Sequence, residues 1–174
     1  PGTPPPTMHL ILNRSSDHTA KMKKLAPPDQ LTGVLNRRGL HEYGERAFSA
    51  AKRAGSPLSV IMTDIDRFKN INDKFGHAAG DAALVHFAKM VSESRRSEDV
   101  IARVGGEEFA LLLPGTELRD AMALADQLCS KVGSTPMNVT GVGMPMTSSF
   151  GVSSISKKDK SLDDLVLRAD RALY

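Results

Sequence analysis

An adjacent glycine pair, Gly105-Gly106, constrains the fold more than any other feature of the sequence. It lies between two short apolar runs, residues 100–104 and 109–113, whose aliphatic side chains favour strands. Tight hairpin turns need positive φ angles, which glycine adopts at no steric cost, so the pair predicts a β-hairpin. The glutamates Glu107-Glu108 complete its tip.

The rest of the chain alternates between helical and strand-like patterns. Asn36 can cap a helix over residues 36–54, Asp81 can cap a second helix that ends near residue 96, and Phe68, Ile71 and Phe75 have helical spacing. Further patterns predict strands at 58–63 and 146–155, and helices at 117–132 and 162–174. The order α-β-α-α-β-β-α-β-α indicates an α/β or α+β layered fold with a mixed sheet.

Size and composition indicate one globular domain of 174 residues. The net charge of +3 is too small to indicate binding to nucleic acid. The single cysteine, Cys129, excludes an intrachain disulfide and a cysteine-based zinc cluster. We expect residues 1–28, which begin with a proline-rich run, to be a disordered tail and a linker to a missing upstream region. Residues 29–174 then form the domain.

Acidic side chains follow both a predicted strand and the predicted hairpin. Asp64 and Asp66 come directly after the strand at 58–63, and Glu107 and Glu108 lie at the hairpin tip. Converging carboxylates repel one another unless a cation joins them, and hard oxygen ligands favour Mg²⁺ or Mn²⁺. Such ions usually also hold phosphate, which indicates a metal-dependent nucleotidyl or phosphoryl transferase. The alternative is structural, with a turn and helix cap at the aspartates and solvated glutamates.

The chain has no glycine-rich P-loop, so phosphate needs another binding element. Arg67 and Phe68 lie in a turn that opens a predicted helix, where free N–H groups and the positive end of the helix dipole attract anions. Lys69 adds a positive charge there. The alternative interpretation of Lys69 is an exposed helical lysine.

Several short motifs occur in a fixed order over residues 29–174. They are LTG at 31–33, NRR at 36–38, DIDRFKNIND at 64–73, FGH at 75–77, GD at 80–81, GGEEF at 105–109, AD at 169–170 and ALY at 172–174. In this order and spacing they resemble the GGDEF family of diguanylate cyclases. The glutamate in the third place of GGEEF, where many family members have aspartate, is a common variant.

The resemblance implies a cyclase-like, ferredoxin-related palm with a central mixed five-stranded sheet flanked by helices. It implies a homodimer that condenses two GTP into cyclic di-GMP and two pyrophosphates with Mg²⁺ or Mn²⁺. It also implies a cytoplasmic domain that an upstream sensor or regulatory domain controls, in a protein that can be membrane-attached. Family members continue past the ALY tyrosine with a lysine and an arginine that reach the phosphates, so we expect a truncated C-terminal end.

The resemblance also implies roles for single residues. The metal ligands are Asp64, Glu107 and the carbonyl of Ile65, and Glu107 also accepts the 3′-hydroxyl proton. Lys69 stabilises the transition state, and Glu108 shares a second metal. The remaining residues bind GTP: Asn72 and Asp81 through guanine, Arg67 and Phe68 through phosphate, and Gly105 and Gly106 through close backbone approach. A side chain at Gly106 is expected to strain the turn and block the ligand.

Arg96 and Asp99 form an R-x-x-D pattern five residues before the hairpin glycines, which in this family marks an inhibitory site for cyclic di-GMP. The alternative for Arg96 is a favourable charge at a helix C-terminus. Gln127 lies near where a second arginine often completes this site, which predicts a weaker or differently completed site. The alternative function is a catalytically inactive receptor for cyclic di-GMP or GTP, and a third is an interaction domain with no nucleotide.

Overall fold

The computed structural model describes residues 26–173. In chain order the elements are α1 (Arg37–Ala54), β1 (Leu58–Ile65), α2 (Phe68–Phe75), α3 (His77–Ser94), β2 (Val100–Arg103), β3 (Glu108–Pro114), α4 (Leu118–Ser134), β4 (Met137–Val139), β5 (Val142–Met144), β6 (Ser148–Ser154) and α5 (Leu162–Ala172). Residues 1–25 of the predicted tail lie outside this range, and Ala26 is buried against the domain. None of the helices within 26–173 is long and apolar enough to cross a membrane.

Four strands form the central sheet in the order β2-β3-β1-β6, and each neighbouring pair is antiparallel. With helices on both faces, the sheet confirms the predicted α+β class and the GGEEF hairpin. The expectation of a mixed, five-stranded sheet is not met within residues 26–173. Leu35 makes the one parallel pairing there, a single bridge to Ala102. It cannot extend, because α1 begins two residues later.

Each face of the sheet packs against its own helices. Along β1, Ile61 and Ile65 join a core with α3 and α4, whereas Val60 and Met62 join a core with α1 and α5. Side chains alternate between the faces of a strand, so a strand covered on both sides has a continuous apolar sequence. This double burial makes β1 a rigid support for the polar residues at its end.

Glycine and asparagine set the starts of two helices. Asn36 caps α1 as predicted, since its Oδ1 accepts from the N–H of Gly39 at 2.8 Å. The prediction that Asp81 caps the next helix is wrong. Gly76, at φ 91°, both ends α2 and begins α3, so α3 starts at His77 and Asp81 lies exposed in its second turn.

A second hairpin, β4–β5, lies in a region to which the sequence patterns assign no element. Thr140 and Gly141 form its two-residue turn with φ angles of 48° and 83°. Positive φ at both positions matches the twist of hairpin strands, as in type I′ turns. Met137 and Met144 anchor the hairpin in the core on the α3–α4 side. The strands are three residues each, too short for a clear alternation pattern.

Candidate active site

The end of β1 and the tip of the β2–β3 hairpin lie side by side. The pairing of β1 with β3 sets Asp64 opposite Glu108, and the N–H of Ile65 donates to the carbonyl of Glu107 at 3.3 Å. The sequence pattern places Asp64 after the strand, but β1 extends to Ile65 and includes it. The structure therefore brings these predicted site residues together on two adjacent, rigid strands.

Negative charge is concentrated around Glu108. Burial raises the pKa of this carboxyl above its ordinary value, and the charges of Asp170, Glu107 and Asp64 raise the pKa further, whereas Arg37 lowers it. Asp170 of α5 is a residue to which the sequence analysis gives no role, although it lies in one of the motifs. Crowded oxygen donors of this kind suit a hard divalent cation, so the residues fit the Mg²⁺ or Mn²⁺ that the resemblance implies.

Asp66 has contacts of its own, apart from the acidic cluster formed by Asp64, Glu107, Glu108 and Asp170. Its two carboxylate oxygens accept from the hydroxyls of Thr147 at 2.9 Å and Ser149 at 2.6 Å, and its N–H donates to the Thr147 carbonyl at 2.9 Å. These bonds fix the β1–α2 turn to β6. The structural interpretation of this aspartate, as a turn residue, therefore describes its position better than a share in the cation site.

A cavity of about 990 Å³ separates the acidic cluster from the start of α2. Its lining includes the predicted site residues Asp64, Ile65, Glu107, Arg67, Phe68 and Lys69. Arg67 occupies the N-cap position of α2 at φ 54° and ψ 37°, a left-handed conformation that is unusual for a residue other than glycine. No side chain caps this helix start. Uncapped N–H groups in such a position attract phosphate.

The two predicted guanine-binding residues lie where α2 meets α3. The amide of Asn72 packs on Gly80, and a Cβ added to Gly80 would overlap its Oδ1 and lie 2.9 Å from its Cγ. Asp81 follows Gly80 and is exposed. Glycine at position 80 therefore leaves the space that the Asn72 amide occupies, next to Asp81. Neither Asn72 nor Asp81 lines the cavity itself.

Two arginines that the sequence analysis leaves without a role hold the hairpin tip. Arg37, in the first turn of α1, donates to the Val104 carbonyl from Nε at 2.9 Å and Nη2 at 2.7 Å. Arg103, the last residue of β2, donates to the Gly106 carbonyl from Nε at 3.0 Å and Nη2 at 2.8 Å. Its Nη1 lies 3.4 Å from the carboxylate of Asp29. Only the three-dimensional pairing reveals these roles.

Asp29 is in turn fixed by the LTG motif. Its Oδ2 accepts from the N–H of Thr32 at 2.9 Å and from the Thr32 hydroxyl at 2.7 Å. Burial raises the pKa of Asp29, but the bonds from Thr32 and the charge of Arg103 outweigh burial and hold that pKa below its ordinary value. The opening motif of the domain is thus connected to the hairpin tip through one ionised carboxylate.

The hairpin glycines depart from the prediction in one respect. Neither Gly105 nor Gly106 has a positive φ angle. A Cβ at Gly105 would lie 3.0 Å from Oε2 of Glu108, and a Cβ at Gly106 would meet nothing within 4 Å. The expected strain at Gly106 is therefore wrong. Its missing side chain leaves open space beside the acidic cluster.

Arg96 and Asp99, the R-x-x-D residues, lie between the end of α3 and the start of β2. This is the opposite end of β2 from the hairpin tip. Asp99 is 2% exposed, its Oδ2 accepts from the N–H of Arg96 at 3.0 Å, and its buried Oδ1 has no hydrogen-bond partner within residues 26–173. Burial raises the pKa of Asp99 against the opposing effect of Arg96. The guanidinium of Arg96 donates to the Thr116 hydroxyl and is 56% exposed.

An α+β sheet with an acidic hairpin beside an uncapped helix start is typical of cyclase domains of the nucleotidyltransferase type. The sequence profile of the family described as "Diguanylate cyclase, GGDEF domain" matches residues 26–174, and the chain belongs to this family. The resemblance drawn from the motifs is thereby confirmed, and the family is one of enzymes.

Relatives and solved structures agree with this assignment. The chain is 37% identical over 166 residues to the response regulator PleD of Caulobacter vibrioides, covering 94% of this chain and 36% of PleD. The active GGEEF domain of a diguanylate cyclase from Vibrio cholerae superposes with a TM-score of 0.75 at 39% identity, covering 80% of this chain and 88% of that one. The GGDEF domain of DgcB from Caulobacter crescentus, solved with c-di-GMP, gives 0.79 at 28% identity, with 84% of each chain covered.

Proposed function

We propose that this domain condenses two GTP molecules into cyclic di-GMP with release of two pyrophosphates. The observation that carries the proposal is the acidic cluster of the GGEEF hairpin, which faces the uncapped start of α2 across one cavity. A triphosphate needs a cation on one side and N–H donors or positive charge on another, and the cavity offers both. The named activities of the relatives support the same reaction.

The residues that would hold the cation are Asp64, Glu107 and the backbone carbonyl of Ile65, with Glu108 available to a second ion. Mg²⁺ or Mn²⁺ bound there would neutralise the triphosphate and stabilise the charge that develops at the α-phosphate. The raised pKa of Glu108 reflects the same crowding of negative charge that a cation relieves.

The protein's own groups position GTP and move one proton. Glu107 accepts the proton of the ribose 3′-hydroxyl while the hydroxyl oxygen attacks the α-phosphorus of the other GTP. The bond from that phosphorus to pyrophosphate breaks as the new bond forms. Lys69 stabilises the negative charge on the transferred phosphoryl group. The N–H groups of Arg67 and Phe68 hold the pyrophosphate portion, and the bare backbone of Gly106 lets the nucleotide approach the tip.

Guanine recognition is assigned to Asn72 and Asp81. A carboxylate accepts from both the N1–H and the exocyclic amine of guanine, whereas adenine presents an acceptor at N1. An adenine in this position would leave polar groups unpaired, which discriminates strongly between the bases. The packing of the Asn72 amide on Gly80, the residue before Asp81, supports this pairing.

Product inhibition is assigned to Arg96 and Asp99. The buried Oδ1 of Asp99 lacks a donor within residues 26–173, and a guanine N–H supplies one. Arg96 is exposed enough to pair with a phosphate. In calorimetry with cyclic di-GMP, we expect Arg96→Ala to lose affinity about tenfold or more, while the exposed α4 variant Arg119→Ala binds as the wild type does. Unchanged affinity of Arg96→Ala would remove this site.

The chemistry favours two copies of the domain. Each chain offers one nucleotide site, whereas cyclic di-GMP contains two new phosphodiester bonds, and two sites that face each other can close both. We therefore propose a homodimer as the active form. The use of GTP also supports a cytoplasmic location for this domain.

Chromatography of the nucleotides formed from GTP and Mg²⁺, over a range of protein concentrations, tests the proposed function. We expect cyclic di-GMP, formed with a steeper than linear dependence on protein concentration. Glu107→Gln should bind GTP but form no product. A wild-type chain that binds cyclic di-GMP yet forms none at any concentration would instead favour the receptor function.

A further inference from the structure

Three metal-ligating side chains from two helices meet outside the candidate active site. His41 and Glu45 lie one helical turn apart on α1 and therefore project from the same face. Asp163 lies in the first turn of α5. One ligand atom of each residue lies within 4.8 Å of those of the other two. The cluster combines an imidazole nitrogen with two carboxylates at the protein surface.

Close packing between α1 and α5 fixes this arrangement. A Cβ added to Gly44 would overlap Cδ2 of Leu162, so the helices touch where Gly44 meets this buried leucine. Glu45 directly follows Gly44, and Asp163 directly follows Leu162. The contact that buries Leu162 therefore also sets the two carboxylates beside each other. Ligands on rigid, packed elements are held more precisely than ligands on loops.

The three side chains are not engaged elsewhere. Within the described range, none of them takes part in a hydrogen bond or an ion pair, whereas the neighbouring Arg38 and Glu42 pair with each other at 3.0 Å. Two carboxylates at short range repel each other when no cation lies between them. The three ligand atoms are therefore close together, and the two carboxylates have no positively charged partner within the described range.

We propose that His41, Glu45 and Asp163 bind Zn²⁺ and that the ion clamps α1 to α5. An imidazole with carboxylates suits a borderline transition metal better than Mg²⁺, which prefers oxygen ligands alone. At bond lengths of about 2.0–2.2 Å, tetrahedral ligands lie about 3.4 Å apart, so binding requires these surface side chains to rotate towards one another. Three protein ligands leave the fourth position to water.

Spectroscopic titration of the nucleotide-free chain tests the site. Co²⁺ serves as the probe, in the presence of excess Mg²⁺ so that the acidic cluster is occupied. We expect one Co²⁺ per chain with tetrahedral visible absorption, displaced by Zn²⁺, and a melting temperature that rises with Zn²⁺ concentration. His41→Ala should lower the Zn²⁺ affinity at least tenfold, and Asp163→Asn, which keeps the side-chain shape, should do the same.

The matched control is His77→Ala, since His77 is also exposed and lies on α3 away from the cluster. It should bind Zn²⁺ with the affinity of the wild type and show the same rise in melting temperature. Equal Zn²⁺ affinity of His41→Ala and the wild type would overturn the proposal, as would a wild-type chain that binds no Co²⁺. Neither readout depends on GTP turnover, so this site and the proposed cyclase activity stand or fall separately.

Discussion

At Gly80 the lack of a side chain decides where Asn72 lies. Gly80→Ala places a methyl group on the space that the Asn72 amide occupies, and the amide must rotate away. Alanine is the better helix former, the Asn72 amide is flexible, and the Phe68 ring, 3.3 Å from the added Cβ, has to shift only slightly. We therefore expect the free energy of unfolding to fall by less than about 1 kcal/mol. Affinity for GTP should fall about tenfold or more, as measured by calorimetry.

Gly133→Ala is the matched control, because Gly133 also lies in a helix and an added Cβ there meets nothing within 4 Å. It should gain about 0.5–1 kcal/mol of stability and bind GTP normally. Equal GTP affinity in both alanine variants would show that the position of Asn72 does not matter for guanine.

Gly106→Val separates ligand exclusion from strain. The backbone at Gly106 has no positive φ angle, and the space around it is open, so the variant should unfold at the temperature of the wild type. GTP turnover should be lost, because the added side chain lies where the nucleotide must approach the acidic cluster. A melting temperature equal to that of the wild type, together with full turnover, would contradict the placement of the nucleotide.

Glu108 gives the domain a stability that depends on pH. Its raised pKa means that the folded chain favours the neutral carboxyl, so this stability is present below the ordinary pKa of glutamate and is lost as the pH rises through the raised value. Glu108→Gln removes the titration. In metal-free buffer we expect its melting temperature to exceed that of the wild type at about pH 8, with the difference shrinking towards about pH 4.

Glu117→Gln, at an exposed glutamate, controls for the loss of one negative charge and should show no such pH-dependent difference. A Glu108→Gln variant whose difference from the wild type is the same at both pH values would mean that the neighbouring carboxylates do not act on Glu108.

At the residue scale, the sequence predicts which chemistry-bearing residues converge, but not how each one is held. Asp64 and Glu107 could be paired from the strand pattern and the motif order alone. The effect of Asp170 on Glu108 and the contact of Arg103 with Asp29 could not be predicted, because the residues of each pair are distant from each other in sequence. The divergent positions of Asp64 and Asp66 have the same cause, since the hydroxyls that bind Asp66 belong to β6 and its approach.

At the element scale, the hairpin is held by side chains as well as by its own ladder. The planar guanidinium of Arg103 spans the Gly106 carbonyl and the Asp29 carboxylate, which a lysine cannot contact in the same way. Arg103→Lys keeps the positive charge but loses the several N–H donors of the guanidinium. We expect a stability loss of about 1 kcal/mol and a fall of about tenfold in kcat/KM for GTP, measured by unfolding and steady-state kinetics.

The conservative change Arg119→Lys, on the exposed face of α4, should leave both quantities unchanged. If Arg103→Lys turns over GTP at the wild-type rate, the hairpin tip does not depend on this clamp.

Helices and strands are predicted correctly where the periodic pattern is long. The prediction fails where one glycine both ends a helix and begins the next. The patterns for α1, β1 and α4 span many residues and predict these elements closely. Gly76 ends one helix and begins the next, and for this reason Asp81 is misread as a cap. The β4–β5 hairpin is missed because its strands offer three residues each, although Thr140-Gly141 carries a turn signal.

At the scale of the whole molecule, the two cores on either side of the sheet explain why the α+β class is predictable. The apolar runs of β1, β2 and β3 each supply side chains to both cores, so the pattern specifies the layers. The strand order cannot be predicted from the same pattern, because it depends on which strands pair with each other. The expected fifth strand came only from the resemblance and has no apolar run of its own within residues 26–173.

The proposed reaction makes its own prediction for two copies of the molecule. If each chain contributes one proton acceptor, Glu107, then a pair of wild-type and Glu107→Gln chains closes only one of the two bonds. An excess of Glu107→Gln added to a fixed amount of wild type should lower the rate of cyclic di-GMP formation and release a linear dinucleotide. Chromatography of the products measures both.

The active variant Glu117→Gln, added in the same excess, should instead raise the rate, because every pair it forms retains two acceptors. If the rate per wild-type chain is the same with and without added Glu107→Gln, one chain makes both bonds in succession. Accumulation of the linear dinucleotide decides the point, because this intermediate is left unclosed when different chains close the two bonds and one of them lacks its carboxylate.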